Sequence, residues 1–257
     1  MSPRIGIAGV SGRMGRLLVE EVRRADVPLV GGIGGAGGTA PSDGITRFAD
    51  IGALARACDL VIDFTHASTA QSHAVALAEA GTGWVLGTSG LSAEDEAAVK
   101  KAAGRITVVY AANFSAGVAL VLALAERIAA SLPASAYDAE IVEMHHRQKV
   151  DAPSGTAIGI GRAVARGRGV ALEDVMESGR HGHTGARREG AIGFAALRGG
   201  QVVGEHTLIF AAADEQIALT HRAFDRRTFA AGAMRAALWA AERPAGLYAM
   251  EDVLGLR

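Results

Sequence analysis

Two adjacent histidines, a lysine and a helix-opening segment lie within the twelve residues from His145 to Thr156. Imidazole exchanges protons near neutral pH, and a lysine binds an anion or, when desolvated, donates a proton. The Pro-Ser-Gly-Thr segment predicts the start of a helix, whose first backbone N–H groups bind carboxylates and phosphates well. His145, His146 and Lys149 therefore predict a small active site that binds a dianion and donates protons.

The composition is that of a folded chain. Its 257 residues allow one large domain or two small ones, and 49% hydrophobic with 21% charged residues favours a core over disorder. The formal net charge of −1 gives no bulk attraction to nucleic acid or to a membrane. The single cysteine, Cys58, excludes an internal disulfide and favours a cytoplasmic location. We expect no signal peptide, because a strand begins at Ile5, and no membrane span, because the apolar run Phe114–Ala125 is too short.

Short buried strands and helices alternate through residue 114. Strands are predicted at 4–8, 28–33, 60–64, 84–86 and 106–110, with helices after the first, third and fourth strands and with Ser92 as the cap of the last of these helices. This alternation predicts a Rossmann-type, doubly wound parallel sheet, so the fold class is α/β. The loops that follow the strands should share one edge of the sheet, where ligands bind; they are Gly9–Met14, Phe64–Thr69, Gly87–Ser89 and Ala111–Phe114.

The pattern changes after residue 115. A long helix from Ala116 to about Ser131 precedes a strand, Ala139–Met144, which delivers the histidines, and Pro153 opens a helix to about Arg166. From Ala191 the chain is rich in strands, predicted at 192–197, 202–203, 206–211 and 216–221, with Gly199-Gly200 as a hairpin turn. We expect a second, α+β domain built on a mostly antiparallel sheet. The expected domains are a discontinuous dinucleotide-binding domain, 1–114 plus 226–257, and a substrate-binding and oligomerisation domain, 115–225.

Three glycines between the first strand and the first helix predict a dinucleotide site. Gly9 permits a tight turn, Gly12 lets a pyrophosphate approach the backbone, and Gly15 lets the helix pack on the sheet. Ser11 stands where many such loops carry glycine, and Arg13 adds a cation. The second strand runs into six glycines in eight residues, 31–38, and no charged residue occurs from 27 to 42. Nothing there selects between NADH and NADPH, so weak discrimination is expected.

These motifs occur in a recognisable order. They are Gly9–Arg16, Gly87–Gly90, Ala111–Ser115, Glu143–Thr156, Gly182–Gly185, Gly204–His206 and Leu219–Ala223. With them the sequence resembles the dihydrodipicolinate reductase family (4-hydroxy-tetrahydrodipicolinate reductases) of lysine biosynthesis, over nearly its whole length. The glycine-rich segment after the second strand departs from the family pattern, in which an acidic residue follows that strand.

The resemblance implies NAD(P)H-dependent reduction of 4-hydroxy-tetrahydrodipicolinate, through dihydrodipicolinate, to tetrahydrodipicolinate. It implies that His145 gives and accepts a proton, that Lys149 donates one, and that His146 contacts the substrate. Gly155 and Thr156 would clasp a carboxylate of this cyclic dicarboxylate. NADH or NADPH would contact Gly9, Val10, Ser11, Gly12, Arg13, Met14, Gly87, Thr88, Ser89, Ala111, Ala112, Asn113 and Phe114. A homotetramer is implied as well.

Other functions fit the sequence less well. A non-catalytic, dinucleotide-binding redox sensor would need the fold but not the His-His-Lys cluster. A zinc site would draw on six of the eight histidines, but paired cysteines and a His-Glu-x-x-His spacing are absent from the sequence, so no metal is expected. An imine or semialdehyde dehydrogenase of another pathway is the nearest enzymatic alternative. A cysteine nucleophile would support the semialdehyde version, but Cys58 precedes the third strand, away from the ligand edge. No basic stripe supports nucleic-acid binding.

Overall fold

The computed structural model describes residues 2–34 and 44–256. The chain forms two compact units, which are described separately: one comprises Met1–Ala116 and Arg226–Arg257, the other Gly117–Asp225. Within the described residues, no helix is both long and apolar enough to cross a membrane.

The first unit is built on a parallel sheet. Its strands are β1 Ile5–Ala8, β2 Leu29–Ile33, β3 Leu60–Asp63, β4 Gly83–Leu86, β5 Thr107–Tyr110 and β11 Gly246–Tyr248. They lie in the order β11-β5-β4-β3-β1-β2, and every neighbouring pair is parallel. The five predicted strands and their parallel arrangement are confirmed. The edge strand β11 was not predicted, because three residues are too few to show a periodicity.

Helices connect these strands. They are α1 Arg13–Arg24, α2 Ile51–Ala57, α3 Ala70–Ala80 after a 3₁₀ turn at Ala67–Thr69, α4 Ala93–Ala103, α8 Arg227–Ala240 and α9 Met250–Val253. Ser92 caps α4 as predicted: its hydroxyl accepts the Asp95 N–H, and the Asp95 carboxylate accepts the Ser92 N–H. The seven-residue α2 was not predicted. Buried side chains such as Leu54, Leu77 and Trp84 fill the core between sheet and helices.

The strand order reverses at β1. The chain passes from β1 to β2 on one side and then crosses over to β3 on the other. Ligands of open α/β sheets bind at such a reversal, beyond the carboxyl ends of the strands. The loops after β1 and β3, at residues 9–12 and 64–66, therefore flank the expected ligand position.

The second unit carries a mixed sheet. Its elements are α5 Ala116–Ser131, β6 Asp138–His145, α6 Gly155–Gly167, α7 Leu172–Val175, β7 Met176–Ser178, β8 Ile192–Arg198, β9 Gly204–Ala211 and β10 Gln216–Ala223. The strand order is β10-β9-β6-β8-β7. The β10/β9 and β9/β6 pairs are antiparallel, whereas the β6/β8 and β8/β7 pairs are parallel. The sheet is thus mixed: the expected antiparallel pairing joins β10, β9 and β6, whereas β8 and β7 add parallel pairs.

The predicted hairpin at Gly199-Gly200 was wrong. β8 and β9 are not neighbours, because β6, from earlier in the chain, lies between them and pairs with both. The connection instead crosses the end of β6: Gly199 N–H donates to the His145 carbonyl, and Arg147 N–H donates to the Gly200 carbonyl. The strand predicted at 202–203 is also absent, since β9 begins at Gly204. A turn signal shows that the chain reverses, but not which strand it pairs with afterwards.

Strand β6 separates two chemical faces. Its residues alternate between buried and half-buried from Asp138 to His145. Ala139 and Ile141 point into a core shared with α5 and α6. Because Glu143 and His145 continue that buried face, the end of the strand carries a carboxylate and an imidazole into the interior.

Candidate active site

The glycine loop between β1 and α1 has the geometry of a phosphate cradle. Gly9 has φ +86°, a conformation that glycine adopts readily, and Gly12 N–H donates to the Gly9 carbonyl over 2.9 Å. Gly12 caps α1 without any side-chain hydrogen bond to the helix. The first N–H groups of the helix are therefore not covered by a cap side chain, and the helix dipole favours an anion at this end.

The glycines of the loop also fit a dinucleotide by their lack of Cβ atoms. A Cβ at Gly15 would overlap the Gly9 carbonyl oxygen and lie 2.6 Å from Val10 Cα, so glycine is needed for the helix to pack. A Cβ at Gly12 would approach the Gly9 oxygen only to 3.2 Å. Gly12 is thus free of a strict packing constraint, and its exposed position leaves room for a pyrophosphate.

Sequence reasoning missed a second cation near this loop. Burial, followed by the positive charge of Arg13, lowers the pKa of Arg226 from its ordinary value. Arg226 precedes α8, far from Arg13 in the chain, so only the fold brings the two guanidinium groups near each other. Two cations beside a helix N-terminus suit the negative charge of a dinucleotide.

The remaining edge loops meet around Phe64. The rings of Phe64 and Phe114 lie 5.7 Å apart, and a Cβ on Gly87 would overlap the Phe64 ring. Thr88 Oγ1 donates to the Thr65 carbonyl over 3.4 Å. The fold thus brings the predicted 87–89 and 111–114 segments together. Phe114 itself is only 1% exposed, so its side chain belongs to the core.

A buried carboxylate beneath this edge was not predicted. Asp63 is fully buried and accepts hydrogen bonds from Thr65 N–H at 3.0 Å, Thr65 Oγ1 at 2.6 Å, and Trp84 Nε1 at 3.2 Å. Its other partner is His73 Nδ1, at 2.7 Å. The carboxylate therefore fixes the start of the loop that follows β3. A strand ending in Asp was the available signal, but two of its partners, His73 and Trp84, lie on other elements of the fold.

The segment expected to bear on cofactor choice is described only in part. Gly31 has φ +151° and a Cβ there would overlap the Thr46 carbonyl oxygen, so the glycine is required by the neighbouring chain. Gly32 N–H donates to the Thr46 carbonyl, and Phe48 N–H donates to the Gly32 carbonyl. Residues 35–43, which contain the rest of the glycine-rich run, lie outside the described part of the chain.

In the second unit, His145 lies at the end of β6 with its Nδ1 atom 2.6 Å from Glu143 Oε2. Its side chain is buried, and its ring meets the His206 ring edge-on with centroids 5.0 Å apart. Burial lowers the pKa of His145 below its ordinary value, and the Glu143 carboxylate only partly offsets this effect. At neutral pH the imidazole is therefore predominantly neutral and able to accept a proton.

Glu143 is the centre of the polar cluster. Arg198 donates from its two terminal nitrogens to the two carboxylate oxygens, each over 2.8 Å, and Ser154 N–H donates to Oε1 over 3.1 Å. Burial raises the pKa of Glu143, but the hydrogen bonds from Arg198, His145 and Ser154 outweigh it, so that the pKa lies below its usual range. Glu143 is consequently an ionised, fully partnered carboxylate.

His206 completes the cluster from the neighbouring strand. It is the register partner of Glu143 in the β6/β9 pair, and its Nε2 atom lies 3.1 Å from Ser154 Oγ. Burial, followed by the charge of His145, lowers the pKa of His206 to about 4. His206 is therefore neutral near pH 7. The sequence placed it in a motif, but its pairing with Glu143 depends on strand register.

Lys149 lies on the loop after β6. Its N–H donates to the His146 carbonyl over 3.1 Å, which closes a turn, and its Nζ lies 2.8 Å from Asp151 Oδ1. Arg198 donates to the Asp151 carbonyl over 2.6 Å. The fold thus links Lys149 through Asp151 to the same arginine that holds Glu143. His146 is half-buried within this loop.

The helix predicted from Pro153 begins two residues later. Ser154 is its N-cap, and its hydroxyl accepts the Ala157 N–H over 3.2 Å. Gly155 and Thr156 are the first two residues of α6, and a Cβ on Gly155 would meet no atom within 4 Å. The predicted carboxylate-binding position is therefore an open helix N-terminus, beside the Glu143–His145 cluster.

His221 is the register partner of His206 in the β10/β9 pair, whereas His181, His183 and the cysteine do not join the cluster of the second unit. His181 and His183 are exposed. No group of three or more metal-binding side chains was found among residues 2–34 and 44–256. Cys58 is buried, its thiol donates to the Leu54 carbonyl over 3.1 Å, and burial raises its pKa to about 11. It is therefore unsuited to act as a nucleophile, which counts against the semialdehyde dehydrogenase alternative.

The parallel sheet and its glycine loop place this chain among the dinucleotide-dependent oxidoreductases. Family models described as dihydrodipicolinate reductase, N-terminus and C-terminus, match residues 3–114 and 117–254. The chain therefore belongs to the dihydrodipicolinate reductase family.

Similar proteins agree with this membership. The 4-hydroxy-tetrahydrodipicolinate reductase of Granulibacter bethesdensis is 67% identical over 257 residues, which cover 100% of this chain and 98% of that protein. The protein of the same name from Gluconacetobacter diazotrophicus is 63% identical, with 98% and 97% covered. A dipicolinate-bound dihydrodipicolinate reductase from Paenisporosarcina sp. TG-14 has the same fold, with a TM-score of 0.79 and 24% identity over 97% of this chain and 98% of that one.

Proposed function

We propose that this protein reduces 4-hydroxy-tetrahydrodipicolinate, through dihydrodipicolinate, to tetrahydrodipicolinate with NADH or NADPH, in the diaminopimelate route to lysine. The observation that carries the proposal is the cluster at the end of β6. A neutral imidazole, His145, an ammonium group, Lys149, and an open helix N-terminus at Gly155 lie on one short stretch of chain. Full-length relatives at 57–67% identity bear the name of this reductase.

The substrate side of the reaction requires charge neutralisation. The substrate is a cyclic dicarboxylate, and the N–H groups of Gly155 and Thr156 at the start of α6 would bind one carboxylate. His146 would contact the substrate from the preceding loop. Asp151 holds the Lys149 ammonium group in place, and this cation would offset negative charge on the substrate.

Proton transfer falls to His145 and Lys149. NADH or NADPH, when bound, supplies a hydride to the conjugated ring. The ring then needs a proton, which Lys149 would donate, while neutral His145 would accept a proton at Nε2, the nitrogen not bonded to Glu143, and return it from the imidazolium form. Positioned proton donors of this kind commonly accelerate reactions by about 10²–10⁴-fold.

The first unit would hold the dinucleotide. Gly9 to Met14 would bind the pyrophosphate at the N-terminus of α1, with Arg13 and Arg226 offsetting its charge. The nicotinamide would be lined by Gly87, Thr88, Ser89, Ala111, Ala112 and Asn113, and the buried side chain of Phe114 would support this segment. In this proposal the first unit is the dinucleotide-binding domain, and the second binds the substrate.

The second unit would also pair subunits into a homotetramer in the cytoplasm. The sheet face opposite the α5/α6 core bears apolar side chains, among them Val142, Met144 and Ile209, and Leu197 is 50% exposed. A subunit partner would cover these side chains. Sedimentation equilibrium should report a tetramer, and Leu197→Glu should dissociate it; a monomeric wild-type protein would refute the assembly.

The cytoplasmic location rests on the cysteine content. A single, buried cysteine agrees with a reducing compartment.

The proposal is tested by dinucleotide oxidation. The cyclic substrate is generated in situ from pyruvate and aspartate semialdehyde by the preceding condensing enzyme, and the loss of NADH or NADPH absorbance is followed with and without that enzyme. We expect substrate-dependent oxidation, with kcat/KM values for the two dinucleotides within about tenfold, because no charged residue occurs from 27 to 42 to select between them. A folded protein that binds dinucleotide but oxidises neither would overturn the proposal and favour the redox sensor.

A further inference from the structure

We propose that Glu143 is a positioning residue, which holds the His145 imidazole with its proton on Nδ1 and leaves Nε2 as the reactive nitrogen. The inference deepens the proposed function and rests on His145 taking part in proton transfer. The motif that contains Glu143 does not by itself assign this residue a role. The role follows from the packing of side chains at the end of β6.

The orientation of the His145 ring is set by the carboxylate. Glu143 Oε2 lies 2.6 Å from His145 Nδ1, and an ionised carboxylate can only accept a hydrogen bond. Nδ1 must therefore carry a proton. In a neutral imidazole the other nitrogen, Nε2, then carries the lone pair. Strand geometry makes this contact possible, because residues two apart in β6 point to the same face.

The carboxylate is itself locked. Arg198 binds both of its oxygens and Ser154 N–H binds one, so that the donors surround Glu143 on every side described. The Glu143 side chain is 1% exposed and that of Arg198 is 20% exposed, so water has little access to this ion pair. Rotation of Glu143 would break several hydrogen bonds at once, which makes it a rigid support for the imidazole.

Arg198 also reduces the effect of the Glu143 carboxylate on the protonation of His145. An isolated carboxylate beside His145 would strongly favour the imidazolium form, but Arg198 neutralises much of that charge. The charged or titratable groups that act on His145 and Glu143 are Lys149 from the loop, Arg198 from β8 and His206 from β9. The outcome is a neutral, oriented imidazole instead of a permanently protonated one.

Space around Nε2 agrees with its being the reactive nitrogen. A Cβ added to Gly204, the first residue of β9, would lie 3.1 Å from His145 Nε2. A larger residue would crowd this atom. The same cluster holds the loop between β6 and α6 in two places, since Ser154, the N-cap of α6, donates to Glu143 and Arg198 donates to the Asp151 carbonyl.

The test is Glu143→Gln, with Glu140→Gln as the matched control. Glu140 lies on the opposite face of β6. Its carboxylate is paired with two arginines, Arg180 and Arg187, whereas Glu143 is paired with Arg198, so each substitution removes a carboxylate from an arginine ion pair. The tautomer of His145 is read from the ring ¹⁵N chemical shifts of the full-length protein without substrate. The pH profile of kcat and the affinity for NADH are measured alongside.

We expect the wild-type His145 ring to carry its proton on Nδ1. In Glu143→Gln the tautomer should become mixed or reversed, kcat should fall about 100-fold, and the pH limb assigned to His145 should move to lower pH. Affinity for NADH should be unchanged, and Glu140→Gln should alter none of these readouts. Glu143→Asp, which keeps the charge, should restore part of the tautomer preference.

A wild-type ring protonated on Nε2 would overturn the inference, even if no variant folded. So would a Glu143→Gln protein that retains the Nδ1 proton and the wild-type pH profile. Because the tautomer is measured without turnover, it separates the two proposals. A correct tautomer in a protein without reductase activity would contradict the proposed function and leave the support of His145 by Glu143 intact.

Discussion

Lys149 Nζ lies 2.8 Å from Asp151 Oδ1, two residues further along the same loop. The Lys149 side chain is 21% exposed and that of Asp151 is 53% exposed, so solvent screens the pair. Ion pairs of this kind contribute about 0–1 kcal/mol to folding. Asp151 therefore orients the ammonium group without making the fold depend on it.

Lys149→Ala should separate activity from stability. We expect kcat to fall by about 10²-fold or more, because a proton donor and a cation beside the substrate are both lost. The free energy of unfolding should change by less than about 1 kcal/mol. Steady-state kinetics and urea unfolding measure the two effects. Lys100→Ala, in the last turn of α4, is the control and should change neither; normal turnover in Lys149→Ala would exclude the role of Lys149.

Gly12→Ala should weaken dinucleotide binding with little cost to the fold. Gly12 has φ −77° and ψ 172°, which alanine adopts, and the added Cβ would lie 3.2 Å from the Gly9 oxygen. We expect Kd for NADH to rise about tenfold or more, while stability falls by about 1 kcal/mol or less. Gly104→Ala is a matched control, since its Cβ would lie 3.3 Å from the Lys101 oxygen at the end of α4. Equal dinucleotide affinity in both variants would contradict a pyrophosphate at Gly12.

Gly155→Ala should affect the cyclic substrate alone. An added Cβ would meet no protein atom within 4 Å, so the fold gives no reason for glycine at the start of α6. We expect KM for the substrate to rise about tenfold, because one lost contact is worth about 1.4 kcal/mol, with Kd for NADH unchanged. Gly159→Ala, one turn further along, is the control. An unaltered KM in Gly155→Ala would remove this helix N-terminus from the substrate site.

Acid should destabilise the protein through His206. Its pKa is lowered to about 4, whereas a histidine in an unfolded chain titrates near ~6.5. Between these values the unfolded state binds a proton that the native state does not. This contribution to stability is therefore complete above pH ~6.5 and is lost as the pH falls toward 4, by an amount on the order of 3 kcal/mol.

The measurement is the free energy of unfolding in urea at several pH values from 7 to 4, at one protein concentration. His206→Gln should flatten this dependence, because the variant lacks the proton-binding difference. His181→Gln, at an exposed position, should leave the wild-type slope. If His206→Gln retains the full slope, the native-state pKa of His206 is not depressed.

The sequence alone determined the local helices and strands and the residues available for catalysis. The five first strands, the capped helix at Ser92 and the glycine loop after Ile5–Ala8 follow from periodicity and from residue preferences that act over a few positions. The histidines, the lysine and the start of α6 were identified because they lie close together in the chain. The family could be recognised from these short segments for the same reason.

Only the tertiary structure decided which distant residues meet. The pairing of β6 with both β8 and β9 overturned the predicted hairpin, and the same pairing sets Arg198 and His206 around Glu143. Likewise, Asp63 meets Trp84, and Arg226 lies near Arg13, through strand order and helix packing. A local pattern reports which face of a strand is buried, whereas the partner across the sheet depends on the free energy of the whole fold, to which residues far apart in the chain contribute together.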